Sequence, residues 1–247
     1  KLVKAGLSPT DVNHLFFSHH HYDHDVDYPC FLLTRWVVGA GHEPELRVRG
    51  PAPTEQLTHR LLDEHEGAFA HDWIARINDP NSIKLHINRG GVMPRTPPMA
   101  KVDAKDVAPG KVYTGKDWEV TAAVAEHAQP WLDCLSYRLD SSEGSFVFTG
   151  DTRACQSVVD LARGADVMLC MCADSQERID LTGLNKKNSG HLDAARMAQE
   201  AGVKKLALVH LGPAICHHGE MERVIAATKS VFDGELIFTE EMMWFPV

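Results

Sequence analysis

The stretch FFSHHHYDHDVDYPC, residues 16–30, decides how the rest of the chain is read. A short apolar burst, HLFF, reads as a buried strand that stops at Ser18 and runs directly into His19, His21, Asp23 and His24. Neutral imidazole and carboxylate are the ligand types that zinc and similar first-row ions take. In a His-x-His pair after a strand, both rings can point the same way. The Asp and His one turn further on can reach a second point nearby. Taken alone, the stretch could also be a solvated polar turn.

Further along, the same arrangement recurs. His127 follows VTAAVA, Asp151 follows SFVFTG and His210 follows KLALV, so each candidate ligand comes just after an apolar strand. Strand ends are held by a rigid sheet, which a metal site needs for fixed geometry. The full set divides into His19, His21, His127 and Asp151 for one ion, and Asp23, His24, His210 and Asp151 for a second, with Asp151 bridging.

These segments also carry a family resemblance. HHHYDH matches the HxHxDH signature of the metallo-β-lactamase superfamily. HAQPWLDCLSYRLD resembles that family's second motif, FTGDT its third and LVHLGP its last, in the family's order and over nearly the whole chain. Among branches the chain looks most like ribonuclease Z and the arylsulfatase-like proteins. The resemblance implies an α/β fold, a four-layer αββα sandwich with the metals at one rim of the sheets. It also implies a zinc-dependent hydrolase with two Zn2+ sites, Mn2+ or Fe2+ being the alternatives. In such a site a metal-held hydroxide attacks the substrate, and Asp23 orients the water or takes its proton. His191 follows Ser189-Gly190 at the start of a helix, and the resemblance gives it the role of protonating the leaving group or holding an anion. A helix N-terminus favours such an anion. Because the family's first strands normally precede this segment, KLVKAGLSPTDV reads as the end of a helix whose beginning lies upstream.

Departures from the branch shape the substrate expectation. Where ribonuclease Z-like proteins usually carry a His-Glu pair, this chain reads LCMCAD, so Cys170-Met171 removes the acid that would orient His191. No Gly/Pro/Lys-rich arm of the kind that grips tRNA is evident. The formal net charge is -9 with histidine neutral, which argues against a phosphate backbone as partner. Together with Phe31, Trp36 and Trp131, these features favour a small, fairly apolar or aromatic substrate and count against nucleic acid. A ribonuclease Z-like phosphodiesterase and a hydrolytic dehalogenase of halogenated aromatics are the alternatives. A non-catalytic metal-binding scaffold ranks below both, because none of the family's ligands has been lost. Flavodiiron proteins place Glu where this chain has His21.

The 247 residues fit a single domain, 1–247, with an insertion at about 40–110 that walls the pocket or forms the contact of a homodimer. Six cysteines without a CxxC pair fit a reducing, cytoplasmic compartment, any export signal lying upstream. No run reaches the roughly 18 apolar residues of a membrane span.

Periodicity predicts helices over DYPCFLLTRWVV, PTEQLTHRLLDEHEGAFAHDWIARI with Thr54 as its cap, CQSVVDLARGA, HLDAARMAQEAG and GEMERVIAATKSVF. It predicts strands at LRVRG, IKLHI, around Lys101-Val102, at WEVTAAVAEHA up to His127, at the hairpin LSYRLD/SFVFTGD, and at DVMLCMCA, KKLALVHLGP and ELIFT. Strands alternating with helices in the second half indicate an α/β sandwich.

Overall fold

His19, His21, His127, Asp151 and His210 each lie a few residues past the end of a strand. The computed structural model describes all residues, 1–247. It divides into two compact units, 1–107 and 108–247.

The first unit holds β1 (His14–Phe16), a one-turn α1 (Tyr22–Asp25), α2 (Tyr28–Gly39), β2 (Leu46–Gly50), α3 (Thr54–Leu62), α4 (Ala70–Asn78), α5 (Pro80–Asn88) and β3 (Val102–Asp106). Its three strands form a parallel sheet in the order β1-β2-β3. Leu46 and Val48 are fully buried on β2, and Phe17, Tyr28, Leu32 and Leu62 pack with them. Pro29 sits in the first turn of α2, where its missing N–H costs nothing. The Tyr28 hydroxyl bonds to Thr58 across the core at 2.8 Å, fixing α2 against α3.

Three local readings change here. The long helix predicted from Thr54 breaks into α3 and α4, because the Asp63 carboxylate accepts the backbone N–H groups of His65 and Glu66 and turns the chain. Thr54 does not cap α3. Its hydroxyl donates to the Pro51 carbonyl at 2.7 Å and accepts from the His20 ring at 2.8 Å. IKLHI is not a strand but part of α5, where Asp79 accepts the Ser82 N–H and Pro80 fills the first turn. Five alternating residues fit both periods, and the cap settles the ambiguity. KLVKAGLSPTDV forms two 3-10 turns, Leu2–Ala5 and Pro9–Asp11, separated by Gly6 at φ 75°.

The second unit holds β4 (Gly110–Thr114), β5 (Trp118–Val124), β6 (Leu135–Ser141), β7 (Gly144–Phe148), α6 (Gln156–Ala162), β8 (Val167–Met171), α7 (Gln176–Thr182), α8 (His191–Ala201), β9 (Lys205–Val209), α9 (Glu220–Lys229) and β10 (Glu235–Phe238). They build one sheet in the order β10-β9-β8-β7-β6-β5-β4, antiparallel from β4 to β7 and parallel from β7 to β10. The predicted hairpin is β6–β7. α8 turns Ala194, Ala195, Ala198 and Ala201 onto the sheet, all buried against Val147, Met168, Leu206 and Leu208. Small side chains let the helix lie close to the strands. Gly164 and Gly202, at φ 68° and 66°, end the segments of α6 and α8 in the left-handed conformation that glycine adopts without strain. β4 and α7 escape the sequence reading because neither shows a clear apolar period; α7 buries only Gln176 and Ile179.

This topology sets up the chemistry. β5 is antiparallel to β6, and β6 to β7, so β5 and β7 run the same way; β8 and β9 are parallel to β7. The C-terminal ends of β5, β7, β8 and β9 therefore share one edge, where sites in such sheets form. No helix is long and apolar enough to cross a membrane.

Candidate metal centre

The first unit contributes one cluster. β1 runs out at Phe16, and the extended residues after it bring His19 Nε2 to 3.0 Å from His21 Nδ1. The other nitrogen of His19 is tied to the Ser18 hydroxyl at 3.2 Å, which fixes the ring. The single turn of α1 then returns Asp23 and His24. The His24 ring centroid lies 4.2 Å from that of His19, and His24 Nε2 lies 3.5 Å from Asp23 Oδ2. His20, between the two ligand candidates, faces away and bonds to Asp25 and Thr54.

A second cluster belongs to the other unit. His127 lies three residues past β5, Asp151 three past β7 and His210 one past β9. Asp151 Oδ2 stands 3.8 Å from His127 Nε2 and 3.6 Å from His210 Nε2. His127 Nδ1 donates to the Lys187 carbonyl at 2.8 Å, leaving Nε2 to face the aspartate. Gly150, at φ 58°, makes the turn that presents Asp151. Under that turn the Thr152 N–H donates to the Met171 sulfur and the Ser189 hydroxyl to the Thr152 carbonyl. His210 itself has φ 53°, a left-handed conformation that costs a non-glycine residue about 1–3 kcal/mol and that concentrates at working sites.

The chemistry of these donors fits a metal. With ligand bonds of roughly 2.0–2.1 Å, tetrahedral ligand atoms stand about 3.3 Å apart. The 3.5–3.8 Å nitrogen–oxygen spacings around Asp23 and Asp151 are too long for good hydrogen bonds and close to that edge. Imidazole and carboxylate groups gather with donor atoms within 4.8 Å of one another, and histidines whose second nitrogen is anchored are typical of ligands.

His191 is fully buried at the first turn of α8. The Gln176 N–H donates to its Nδ1 at 3.0 Å, so the neutral ring carries its proton on Nε2, a buried atom with no hydrogen-bond partner. Burial, partly opposed by Glu177, holds its pKa below the ordinary histidine value. The ring is therefore a neutral N–H donor near pH 7. Gln176 also locks the start of α8, exchanging side-chain bonds with Asp193 at 2.9 and 3.1 Å. Sequence reasoning left His191 without an orienting group; the backbone of Gln176 supplies one, and the Lys187 carbonyl does the same for His127. Both act through main-chain atoms, which leave no signature in residue type.

The sequence matches the beta-lactamase superfamily domain over residues 3–211. The chain belongs to that superfamily. Among superfamily members, curated relatives include ribonuclease Z of Mycobacterium sp. (strain KMS), 26% identical over 92% of this chain and 76% of the relative. A putative ribonuclease Z of Mycobacterium tuberculosis (strain CDC 1551 / Oshkosh) is 27% identical over 90% of this chain and 93% of its own. The metallo-beta-lactamase fold protein YhfI from Bacillus subtilis superposes with a TM-score of 0.66 at 20% identity, covering 97% of this chain and 81% of that one. Human tRNase Z, short form, gives 0.60 at 15% identity over 98% and 82%. The α/β fold expected from the HxHxDH resemblance is thus the metallo-β-lactamase fold.

One expectation is overturned. A small-molecule substrate, with nucleic acid disfavoured, does not stand against relatives named ribonuclease Z along nearly the whole chain. Physically, a formal charge of -9 sums the whole surface, whereas a phosphodiester is met locally, and bound divalent ions would be the largest charges there. The aromatic argument also fails for two of its three residues, Trp131 being exposed. Trp36 is a buried packing residue and Phe31 packs against the first unit's core. Cys170 lies in the second unit's core, and Met171 is buried beneath the Asp151 turn. Neither gives an apolar lining.

Proposed function

We propose that the chain is a metal-dependent phosphodiesterase of ribonuclease Z type whose substrate is RNA. The observation that carries the reading is the run of ribonuclease Z relatives at 26–27% identity over 90% or more of the chain, with the ligand types of a hydrolytic metal site kept at each strand end. His19, His21, His127 and Asp151 would hold one ion, and Asp23, His24, His210 and Asp151 the other, Asp151 being shared. Superfamily membership supports this pairing, since a single domain match spans both units. Imidazole-rich sets of this kind favour Zn2+, with Mn2+ or Fe2+ as alternatives. Bound there, the ions would supply a nucleophile at neutral pH and stabilise charge on the phosphate.

The chain's own residues divide the remaining work. Asp23, half exposed beside His24, would orient the attacking water and accept its proton. His191, neutral and with its proton on Nε2, would donate a hydrogen bond to a phosphate or leaving-group oxygen. The Lys187 carbonyl and the Gln176 N–H keep His127 and His191 in the tautomers these roles need. Exposed Lys186 and Lys187 stand on the segment that anchors His127 and would meet neighbouring phosphates. Residues 40–110 would wall the substrate path, and a homodimer is expected from the same insertion; a monomeric mass in solution would remove that part.

The test uses the metal-loaded protein, a tRNA precursor with a 3′ extension, and bis(p-nitrophenyl) phosphate. Metal-dependent cleavage of the RNA that disappears in Asp151→Ala is expected. No cleavage of either by a protein shown to hold its metals would sink the proposal.

A further inference from the structure

The first unit holds a second concentration of charge that the metal centre does not use. α2 places Trp36 with its indole N–H donating to the Thr96 carbonyl at 2.9 Å. The Arg95 guanidinium lies flat over that ring, its central carbon 3.7 Å from the ring centroid. Arg95 lines a small surface cleft, about 30 Å³, together with Arg76, Arg89, Ser82 and His86. Three guanidiniums and no carboxylate line it.

Stacking fixes the plane of the Arg95 guanidinium while leaving its in-plane N–H edge free to bond. Its Nε is buried and has no hydrogen-bond partner, an arrangement that costs free energy unless something completes it. Burial, and then the charge of Arg76, hold the Arg95 pKa below its ordinary value, with Glu43 opposing. Two carboxylates lie nearby. Asp72 holds the Arg76 Nε at 2.9 Å and leaves the terminal nitrogens of that guanidinium free, while Glu43 Oε2 accepts the Gly41 N–H and its buried Oε1 has no hydrogen-bond partner. His86 donates to the Val92 carbonyl, which holds the cleft floor in place.

We propose that the cleft between Arg76, Arg89 and Arg95 is an oxyanion site that takes a tetrahedral phosphate group. Arg95, clamped on Trp36, presents a preset fork, and the exposed Arg89 and Arg76 side chains close over the anion. The phosphate has two chemical sources, a free phosphate or phosphomonoester and the backbone of an RNA strand. The second is within reach of the first unit's ligand cluster. α2 begins at Tyr28, four residues past His24, and Trp36 lies about 12 Å further along the helix. The site does not depend on what the metal centre hydrolyses.

The experiment follows the arginine Nε–Hε resonances of the full-length, 15N-labelled protein. Inorganic phosphate is titrated against sodium chloride at matched ionic strength. Expected is a saturable shift of the Arg95 resonance with phosphate and none with chloride. Arg89→Gln, at an exposed position, and Arg95→Gln should each weaken phosphate binding about tenfold, the loss of one charge-assisted bond. Arg89→Gln keeps the test decisive if Arg95→Gln fails to fold. An oligoribonucleotide without terminal phosphates is then added. Displacement of phosphate, with an affinity that falls steeply with salt, assigns the site to RNA backbone. Phosphate binding without displacement assigns it to a free phosphate or phosphomonoester. A shift that never saturates, or variants that bind like the parent, would overturn the site.

Discussion

Asp151 is the residue on which the proposed centre turns, because its carboxylate is the group near both His127 and His210. Asp151→Ala should abolish RNA cleavage and lower bound metal, read by atomic absorption on the purified variant; a variant with full metal content and parental turnover would remove it from the ligand set. His191 makes a different prediction. Its pKa is lowered by burial, so it acts as a neutral donor near pH 7 and above, where activity should not depend on its protonation. His191→Asn should reduce kcat by roughly 10²–10³-fold, the scale of losing one preset donor, with metal content unchanged. An unchanged kcat would make the buried histidine a packing residue. The clustering of His19, His21, Asp23 and His24 was legible from residue type and spacing; their service as metal ligands belongs to the proposed function. The backbone groups that orient the histidines were not legible, because every residue carries an N–H and a carbonyl.

At the level of elements, the junction of α7 and α8 decides how His191 is held. A Cβ at Gly190 would stand 2.6 Å from Gln176 Oε1 and 3.0 Å from Gln176 Cα. The flexible side chain could give way, but the backbone contact could not without moving the N–H that bonds to His191. Gly190→Ala should therefore lower kcat by about tenfold or more, since small displacements of a positioned group are costly, while circular dichroism stays parental. Parental kcat would show that the junction does not transmit to the ring. β9 carries the core as well as His210. Leu206→Ala should destabilise the protein by about 2–5 kcal/mol in denaturant melts, as for other fully buried leucines. The strands β5 to β10 were readable as apolar runs. α5 was misread as a strand because a five-residue alternating run serves either element, and the Asp79 cap with Pro80 settles it.

For the molecule as a whole, acid stability carries a signature outside the metal centre. Asp166 accepts from the Lys204 ammonium at 2.6 Å and from the Ser145 N–H and hydroxyl, tying the approaches to β7, β8 and β9. The Lys204 bond first, then those of Ser145, hold its pKa down to about 2 from an ordinary 3.8. A depressed carboxylate stabilises the fold above its unfolded pKa, and that contribution is lost as pH falls through about 2. Denaturant melts should therefore show Asp166→Asn less stable than the parent at pH 6, with the gap closing toward pH 2. A gap that persists at pH 2 would mean the strap acts through packing. Chelation should remove RNA cleavage and lower Tm, because ions bound only to the folded chain stabilise it by mass action. A Tm unmoved by chelator, with metal shown to have left, would count against ligands drawn from both units.

The sequence by itself determined the superfamily and showed imidazole and carboxylate side chains at strand ends, because those groups are recognisable as residues and apolar runs as strands. Only the tertiary structure decided which edge of the second sheet collects His127, Asp151 and His210, which nitrogen of His191 carries the proton, and that Trp36 serves as a platform for Arg95 rather than as a substrate wall. These depend on strand direction, main-chain hydrogen bonds and packing between residues far apart in the chain. None of them changes the composition or spacing from which a sequence is read.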